Sequence, residues 1–333
     1  MRLIFMGTPE FAVPVLERLV QDGHQVLAVF TQPDKPSGRG NTLQAPPIKQ
    51  LSQKFAIPVY QPARIKTNEE VRQTFESVRP DACIVAAYGK ILPEWLLRIP
   101  RLGCINVHSS LLPKYRGAAP INWAIANGET KTGVTIMEMD PGMDTGPMLG
   151  SKVVEIGEYE TAVELSKRLS KLGAELLSEK LPLVERGEIE HLAQDDSQAS
   201  YAPILKREDG LIDWSMPAKR ISDRVRGFQP WPGSYTVFKN ARLIIWRARP
   251  VWLDLTSPPG HGSGDGETKR LWDQPGTIVA LDKTGIVITC AENSFLRVEE
   301  IQLEGKRRVS ARDFANGARL GIGCSIRDET SKQ

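Results

Sequence analysis

Short apolar runs alternate with helix-like segments from the start of the chain, and this alternation restricts the possible folds more than any other feature. Arg2–Met6 is apolar, Gly7-Thr8-Pro9 interrupts it, Phe11–Val20 has helical spacing, and Gln25–Thr31 is apolar again. The pattern predicts a β-α-β unit. Because parallel strands joined in this way need a helix on the sheet face, we expect a layered α/β domain with a right-handed crossover.

The alternation continues as far as Val107. The further strand candidates are Ile57–Tyr60, Ala82–Ala87 and Gly103–Val107, with helical segments at Glu69–Ser77 and after Pro93. Together these runs predict an open, mostly parallel sheet, whose ligands lie beyond the carboxyl ends of its strands. The glycine turn after the first run lacks the spacing GxGxxG, which argues against a dinucleotide site.

Composition and cysteine spacing argue against several classes of protein. Hydrophobic residues make up 41% and charged residues 25% of the 333-residue chain, as in ordinary soluble proteins. No apolar run approaches the roughly 18 residues of a membrane span, and the N-terminus resembles a strand and turn rather than a secretion signal, so we expect a cytoplasmic protein. The four cysteines have no CxxC spacing, which predicts neither a disulfide nor a zinc site. They are Cys83, Cys104, Cys290 and Cys324.

The chain changes character near Gln194. Before it, Ala162–Val184 carries leucines on one stripe and predicts a long amphipathic helix. The polar stretch 194–206 loses periodicity and is predicted to be a linker between residues 1–193 and 207–320, with 321–333 as a tail.

Beyond the linker, the pattern predicts a helix and a small β-barrel. Pro217–Gly227 has Pro in its first turn and Gly at its end, as helices do. Five short alternating segments follow and predict the barrel. Asp254–Asp273, dense in Gly, Ser and Pro, is predicted to be a disordered surface insertion, and a last helix is expected to begin at Ser310.

Three polar residues are predicted to meet at the carboxyl edge of the first sheet. Asn106 and His108 alternate on one face of the run that ends at His108, and the run Val134–Met139 leads into a turn that ends at Asp144. An imidazole held by a carboxylate can carry a proton through its other nitrogen, and an amide can donate to a developing oxyanion. Acyl-type chemistry is the functional interpretation; a structural histidine beside ordinary turn residues is the alternative.

Basic residues suggest a polyanionic partner. Lys206–Pro250 carries ten Lys or Arg against four acids, whereas Glu155–Ser200 carries five against eleven. The Pro- and Gly-rich stretch from Gln32 to Lys49 predicts a long surface loop without regular structure. Its basic residues Lys35, Arg39 and Lys49 could contact phosphates. A solvated basic face and a mobile loop fit the same pattern equally well.

Several motifs resemble one known family, the 10-formyltetrahydrofolate-dependent formyltransferases. The resemblance covers nearly the whole chain and rests on Asn106–Pro113, Tyr115–Ile121, Asp140–Gly146, Phe5–Phe11, the loop Gly38-Arg39-Gly40 and Phe228–Pro232. It implies a Rossmann-like formyltransferase domain followed by an OB-like barrel that binds tRNA. It also implies a catalytic triad of Asn106, His108 and Asp144 and no metal.

The resemblance further implies the two substrates and where they bind. Ser110, Leu111, Leu112 and Pro113 would contact tetrahydrofolate, and Ile84, Tyr88 and Gly89 would line the same pocket by position. Asp34–Lys49 would contact the tRNA acceptor end, and Arg224 and Arg226 of the basic segment would assist. The implied reaction moves a formyl group from 10-formyltetrahydrofolate to the α-amine of the methionine on initiator tRNA, catalysed by a monomer.

Two departures and two rival functions accompany this resemblance. Asn41 and Thr42 stand where many relatives carry lysines, and the Asp254–Asp273 insertion is longer than the usual connection. Formylation of a small amine, such as a glycinamide ribonucleotide or an amino-sugar nucleotide, is the nearer rival. A catalytically silent folate- or RNA-binding module is the other, and the intact triad argues against it.

Overall fold

A computed structural model describes residues 1–37, 42–253 and 274–327. Arg39, the predicted insertion Asp254–Asp273 and residues 328–333 of the predicted tail therefore lie outside the described residues. The chain divides into two compact units. The first comprises Met1–Ile121, Lys131–Glu155 and Glu164–Ile204, and the second comprises Asn122–Thr130, Ile156–Val163 and Leu205–Gln333.

The chain up to Ile204 alternates strands and helices, as the sequence pattern predicts. Its elements are β1 (Arg2–Gly7), α1 (Val13–Gln21), β2 (Gln25–Phe30), β3 (Lys35–Ser37), β4 (Thr42–Gln44), α2 (Pro47–Lys54), β5 (Val59–Tyr60), α3 (Glu69–Val78), β6 (Ala82–Ala86), α4 (Glu94–Arg98), β7 (Cys104–His108), β8 (Arg116–Gly117), α5 (Pro120–Ala126), β9 (Lys131–Glu138), β10 (Met148–Glu155), α6 (Ala162–Arg186) and β11 (Tyr201–Ala202).

The first unit is organised around a seven-stranded sheet of order β10-β9-β7-β6-β1-β2-β5. The pairs from β5 to β7 are parallel, whereas β9 pairs antiparallel with both β7 and β10. Strand β6 is buried along its whole length, because helices cover both faces of a parallel sheet. On one face, Ile4, Phe30, Phe75 and Cys83 belong to a single hydrophobic cluster. The carboxyl ends of β1, β6 and β7 therefore meet at one edge.

In its described residues after Leu205, the second unit contains an antiparallel sheet covered by two helices. Its elements after Leu205 are α7 (Ala218–Gly227), β12 (Ser234–Phe238), β13 (Ala241–Val251), β14 (Ile278–Asp282), β15 (Gly285–Thr289), β16 (Phe295–Leu303), β17 (Val309–Ser310) and α8 (Ala311–Ala318). The strand order is β12-β13-β16-β15-β14, and β17 pairs with β16. Ile221 and Val225 of α7 and Ala315 of α8 pack with Ile245 and Leu296 of the sheet. The predicted class, a mostly parallel α/β domain followed by a separate antiparallel β domain, is confirmed.

The segment from Gln32 to Lys49 is partly regular, so the prediction of a long loop without regular structure is wrong. Strands β3 and β4 pair antiparallel, and α2 begins at Pro47. Proline is tolerated in the first helical turn because its missing N–H has no partner there. Ile48 and Leu51 of α2 are buried, and this packing stabilises the helix.

Two smaller differences also come from pairing between distant residues. The run Val153–Ile156 predicts a strand, but β10 begins five residues earlier, at Met148, because residues 148–152 pair with β9. Strand β11 lies inside the predicted linker 194–206 and pairs with β8. Within the described ranges, no helix is long and apolar enough to cross a membrane.

Candidate active site

Strand β7 presents Asn106 and His108 from the same face. It pairs with β6 on one side and with β9 on the other, so His108 lies opposite Thr135. The His108 residue is 5% exposed and Asn106 is partly exposed. The two polar side chains therefore lie next to each other at the carboxyl edge of the sheet, as strand alternation predicts.

Asp144 reaches both residues from the loop between β9 and β10. Its Oδ2 accepts a hydrogen bond from the Gly117 backbone N–H at 2.8 Å and lies 3.6 Å from His108 Nδ1. Its Oδ1 is 3.5 Å from Asn106 Nδ2. The last two separations exceed the roughly 2.8 Å of a charge-assisted hydrogen bond. The structure thus brings all three predicted catalytic residues together, with one tight backbone contact and two longer ones.

The second imidazole nitrogen changes the expected role of His108. Its Nε2 lies 3.0 Å from the carbonyl oxygen of Tyr115. Because a carbonyl oxygen only accepts hydrogen bonds, this contact assigns the proton to Nε2 and leaves Nδ1 as the basic nitrogen of the neutral ring. The sequence predicted that Asp144 holds one nitrogen and that the other takes or gives a proton. Instead Nε2 is bonded to the backbone, and Nδ1 is the nitrogen left to exchange a proton.

Thr135 supports the loop that follows His108, and sequence reasoning missed it. Its hydroxyl donates to the Ser110 carbonyl at 2.8 Å and accepts from the Leu112 backbone N–H at 3.2 Å. The side chain is completely buried. A hydroxyl within the apolar run Val134–Met137 was the available signal, since a buried polar group needs partners.

A second support comes from the segment predicted as linker. Gln194 Nε2 donates to the backbone carbonyls of Asp144 and Gly146, at 2.9 and 2.8 Å. Its Oε1 accepts from the Arg116 guanidinium at 3.1 and 2.8 Å. No local sequence pattern pointed to this contact, because its partners are 50 and 78 residues away.

The predicted folate-contacting residues differ in what they can offer a ligand. Ser110 is completely buried, and its hydroxyl donates to the Lys114 carbonyl at 2.6 Å. Ile84 has no exposed surface and Tyr88 is 2% exposed; burial raises the pKa of the Tyr88 phenol. These three side chains are therefore buried and are not exposed to contact a ligand. Leu112 is 7% exposed, whereas Leu111 and Pro113 are partly exposed and Gly89 is exposed.

The predicted RNA-contacting side chains also differ in what they can offer a ligand. Lys35 is exposed on β3. Lys49 Nζ lies 2.8 Å from an Asp34 carboxylate oxygen, and Gln61 donates to the same carboxylate at 2.7 Å. The hydrogen bond from Gln61, followed by that from Lys49, lowers the pKa of Asp34. Lys49 therefore anchors the base of the loop.

In the second unit, Arg226 has a structural role. It is 7% exposed, pairs at 2.9 Å with the buried Asp223, and donates to the carbonyls of Gly157 and Glu160. Arg224 is partly buried, donates to the Asp209 carbonyl at 2.8 Å, and has a pKa lowered by burial. The guanidinium predicted at position 226 is thus directed inward rather than toward an RNA surface.

No group of three or more His, Cys, Asp or Glu side chains in the described parts of the chain has the arrangement of a metal site. The convergent groups are an amide, an imidazole, a carboxylate and backbone N–H and C=O groups. This set can stabilise an oxyanion and move a proton.

Comparisons with known proteins identify the family. The N-terminal formyl transferase domain model matches residues 1–181, and the formyl transferase C-terminal domain model matches residues 204–319. A methionyl-tRNA formyltransferase from Geobacter metallireducens is 47% identical over 324 residues, which is 97% of this chain and 98% of the relative. One from Caldanaerobacter subterraneus is 46% identical over 98% of this chain and 100% of the relative.

Solved structures share the fold at lower identity. An N-formyltransferase from Helicobacter canadensis, in complex with folinic acid and dTDP-3-aminofucose, has a TM-score of 0.63 and 17% identity over 89% of this chain and 98% of that chain. A sugar 3N-formyl transferase has a TM-score of 0.63 and 15% identity over 92% of this chain and 99% of that chain. From the two domain matches and the near full-length relatives, the chain belongs to the formyltransferase family, among the methionyl-tRNA formyltransferases.

Proposed function

We propose that the chain transfers the formyl group of 10-formyltetrahydrofolate to the α-amine of methionine on initiator tRNA, giving formylmethionyl-tRNA for translation initiation. The observation that carries the mechanism is the meeting of Asn106, His108 and Asp144 at the carboxyl edge of the sheet. Near full-length relatives of 46–47% identity support the choice of acceptor.

In this reaction a carbon–nitrogen bond forms between the methionine amine and the formyl carbon, and the bond from that carbon to folate N10 breaks. The attacking amine loses one proton and N10 gains one, so protons balance. Asn106 Nδ2 and a protonated His108 Nδ1 would donate to the oxygen that becomes negative. Asp144 would hold the imidazolium, and His108 or a water would carry the proton to N10.

The Tyr115 carbonyl gives this mechanism a definite proton site. With Nε2–H bonded to Tyr115, the imidazole gains and loses its proton at Nδ1, which faces Asp144. The backbone thus sets the tautomer and the ring orientation, while the carboxylate stabilises the charged form.

The exposure of individual residues supports the proposed substrate sites. For the folate, the exposed backbone of Gly89 and the partly exposed Leu111 and Pro113 offer contact, while Ser110 and Thr135 keep the loop in place. For the tRNA, we propose Lys35 and its loop, with residues 1–193 as the catalytic domain and 207–320 as the tRNA-binding domain. We also propose that the chain acts as a monomer in the cytoplasm; light scattering after gel filtration tests the first part.

One experiment separates the candidate functions. Purified protein is incubated with 10-formyltetrahydrofolate and, in parallel, charged initiator tRNA, glycinamide ribonucleotide or an amino-sugar nucleotide. We expect formylated product when charged initiator tRNA is the acceptor and none with either small amine. Product with a small amine instead would favour the nearer rival, and no product with any acceptor would favour a binding module.

A further inference from the structure

The side chain of Gln194 joins a buried arginine to the backbone around Asp144. The amide nitrogen donates to the carbonyls of Asp144 and Gly146, and the amide oxygen accepts two hydrogen bonds from Arg116. All four contacts are between 2.8 and 3.1 Å. Both ends of the amide therefore have partners.

These partners permit only one orientation of the amide. A guanidinium has donors and no acceptor, and a carbonyl oxygen only accepts, so the oxygen of Gln194 must face Arg116 and the nitrogen must face the loop. Arg116 is 2% exposed and also pairs at 2.6 Å with Asp196, which fixes the guanidinium. The orientation of Gln194 is thus set from behind.

The backbone at Asp144 requires such support. Its φ is +54°, in the left-handed region that a residue other than glycine seldom adopts. A strained residue of this kind keeps its conformation only when its surroundings hold it. Here the carboxylate is held by the Gly117 N–H and the backbone carbonyl by Gln194. Without the second contact, the loop can relax and carry the carboxylate away from His108.

We infer that Gln194, oriented by Arg116, is a positioning residue for formyl transfer: it holds the loop at Asp144 so that the carboxylate faces His108 Nδ1. The inference rests on the proposed function and extends it to a segment that resembles a linker in sequence. Gln194 touches none of the reacting atoms and acts through Asp144.

The test compares three glutamine variants in single-turnover and steady-state formylation of charged initiator tRNA. Gln194→Met keeps the length of the side chain and removes its hydrogen bonds. Gln194→Glu keeps the acceptor for Arg116 but places a second acceptor against two carbonyls. Gln198→Met is the matched control, because Gln198 is exposed in the same segment and its side chain donates to Asp195, within its own turn.

We expect kcat to fall about 100-fold in Gln194→Met, the effect of a displaced catalytic group, with KM for both substrates nearly unchanged. The kcat of Gln194→Glu should be lower still, and the kcat of Gln198→Met should equal that of the wild type. Equal kcat in Gln194→Met and the wild type would overturn the inference. So would a decrease in kcat that only follows loss of folded protein in circular dichroism.

A second measurement does not depend on activity. Hydrogen exchange at the Gly117 amide reports its bond to Asp144, which is 2.8 Å in length. We expect faster exchange at this amide in both Gln194 variants and in Arg116→Lys, which lacks the guanidinium fork, but not in Gln198→Met. Unchanged exchange would overturn the inference. A wild type that formylates no tRNA would instead overturn the proposed function, and the exchange data would still report on Gln194.

Discussion

Replacing Asp144 by Asn removes one charge while keeping the shape of the side chain, so it isolates the electrostatic part of the mechanism. The amide oxygen of Asn can still accept from the Gly117 N–H, which the Asp144 carboxylate now does at 2.8 Å. Folding should therefore be preserved. The favourable interaction between a negative side chain and a protonated His108 is lost.

The size of this loss follows from the distance. Opposite unit charges 3.6 Å apart interact by about 4.6 kcal/mol at an effective dielectric constant of about 20. The Asp144 side chain is 16% exposed, and solvent screening lowers this figure. Since about 1.4 kcal/mol corresponds to a factor of ten, kcat should fall between about 100-fold and 1,000-fold.

The assay is single-turnover formylation of charged initiator tRNA at saturating 10-formyltetrahydrofolate, because it measures the chemical step rather than product release. Asp22→Asn is the matched control: the same change at a surface ion pair with Arg18 at the end of α1. Its rate should equal that of the wild type. A rate for Asp144→Asn within about threefold of the wild type would refute the role of the carboxylate charge.

Three other changes test packing, an internal ion pair and the RNA surface. Gly133→Ala places a Cβ against the carbonyl oxygen of Lys152, so thermal unfolding should show a loss of about 3 kcal/mol; an unchanged midpoint would contradict this packing. Arg226→Ala leaves the buried carboxylate of Asp223 with Lys219 alone, and urea unfolding should report about 3 kcal/mol less stability. Lys35→Ala should weaken tRNA binding and reduce the slope of log Kd against log salt by about one, and an unchanged slope would place the phosphate contact elsewhere.

The first sheet was predictable from sequence because its strands are buried on both faces. A strand of this kind reads as a continuous apolar run, and β1, β6 and β7 lie where such runs were found. Helix α6 was equally visible, since a one-sided core contact requires a stripe of leucines with helical spacing. In both cases the signal is local: each residue's type follows from the environment of its own element.

Pairing between distant segments was not predictable in this way. Strands β8 and β11 are two residues each, and Tyr201 pairs with Arg116 across 85 positions. Two residues are too few to show a period. The polar stretch after Gln194 therefore resembled a linker, although its backbone and side chains hold the segment that supplies the Tyr115 carbonyl and the Gly117 N–H.

The same difference between local signals and distant contacts applies to the candidate site. Strand alternation placed Asn106 and His108 on one face, and a Pro-Gly turn indicated that Asp144 could reach them. Neither pattern determines the tautomer of His108, because the tautomer depends on a carbonyl seven residues further along the chain. Residue types indicated which chemistry is available, and the backbone around them decides which nitrogen performs it.

The basic segment Lys206–Pro250 shows why counting charges is a weak guide to an RNA surface. Ten cations against four acids indicated a polyanion partner. Yet Arg226 neutralises a buried acid, and Lys219 lies 2.6 Å from the same carboxylate. The Arg226 side chain is 9% exposed, so this cation has already lost most of its solvation and cannot release counterions from a phosphate backbone. Lys219 remains 58% exposed, but its charge is engaged by the same carboxylate. The two substitutions therefore affect different measurements. Arg226→Ala should lower stability, whereas Lys35→Ala should change salt-dependent tRNA affinity and leave stability unaltered.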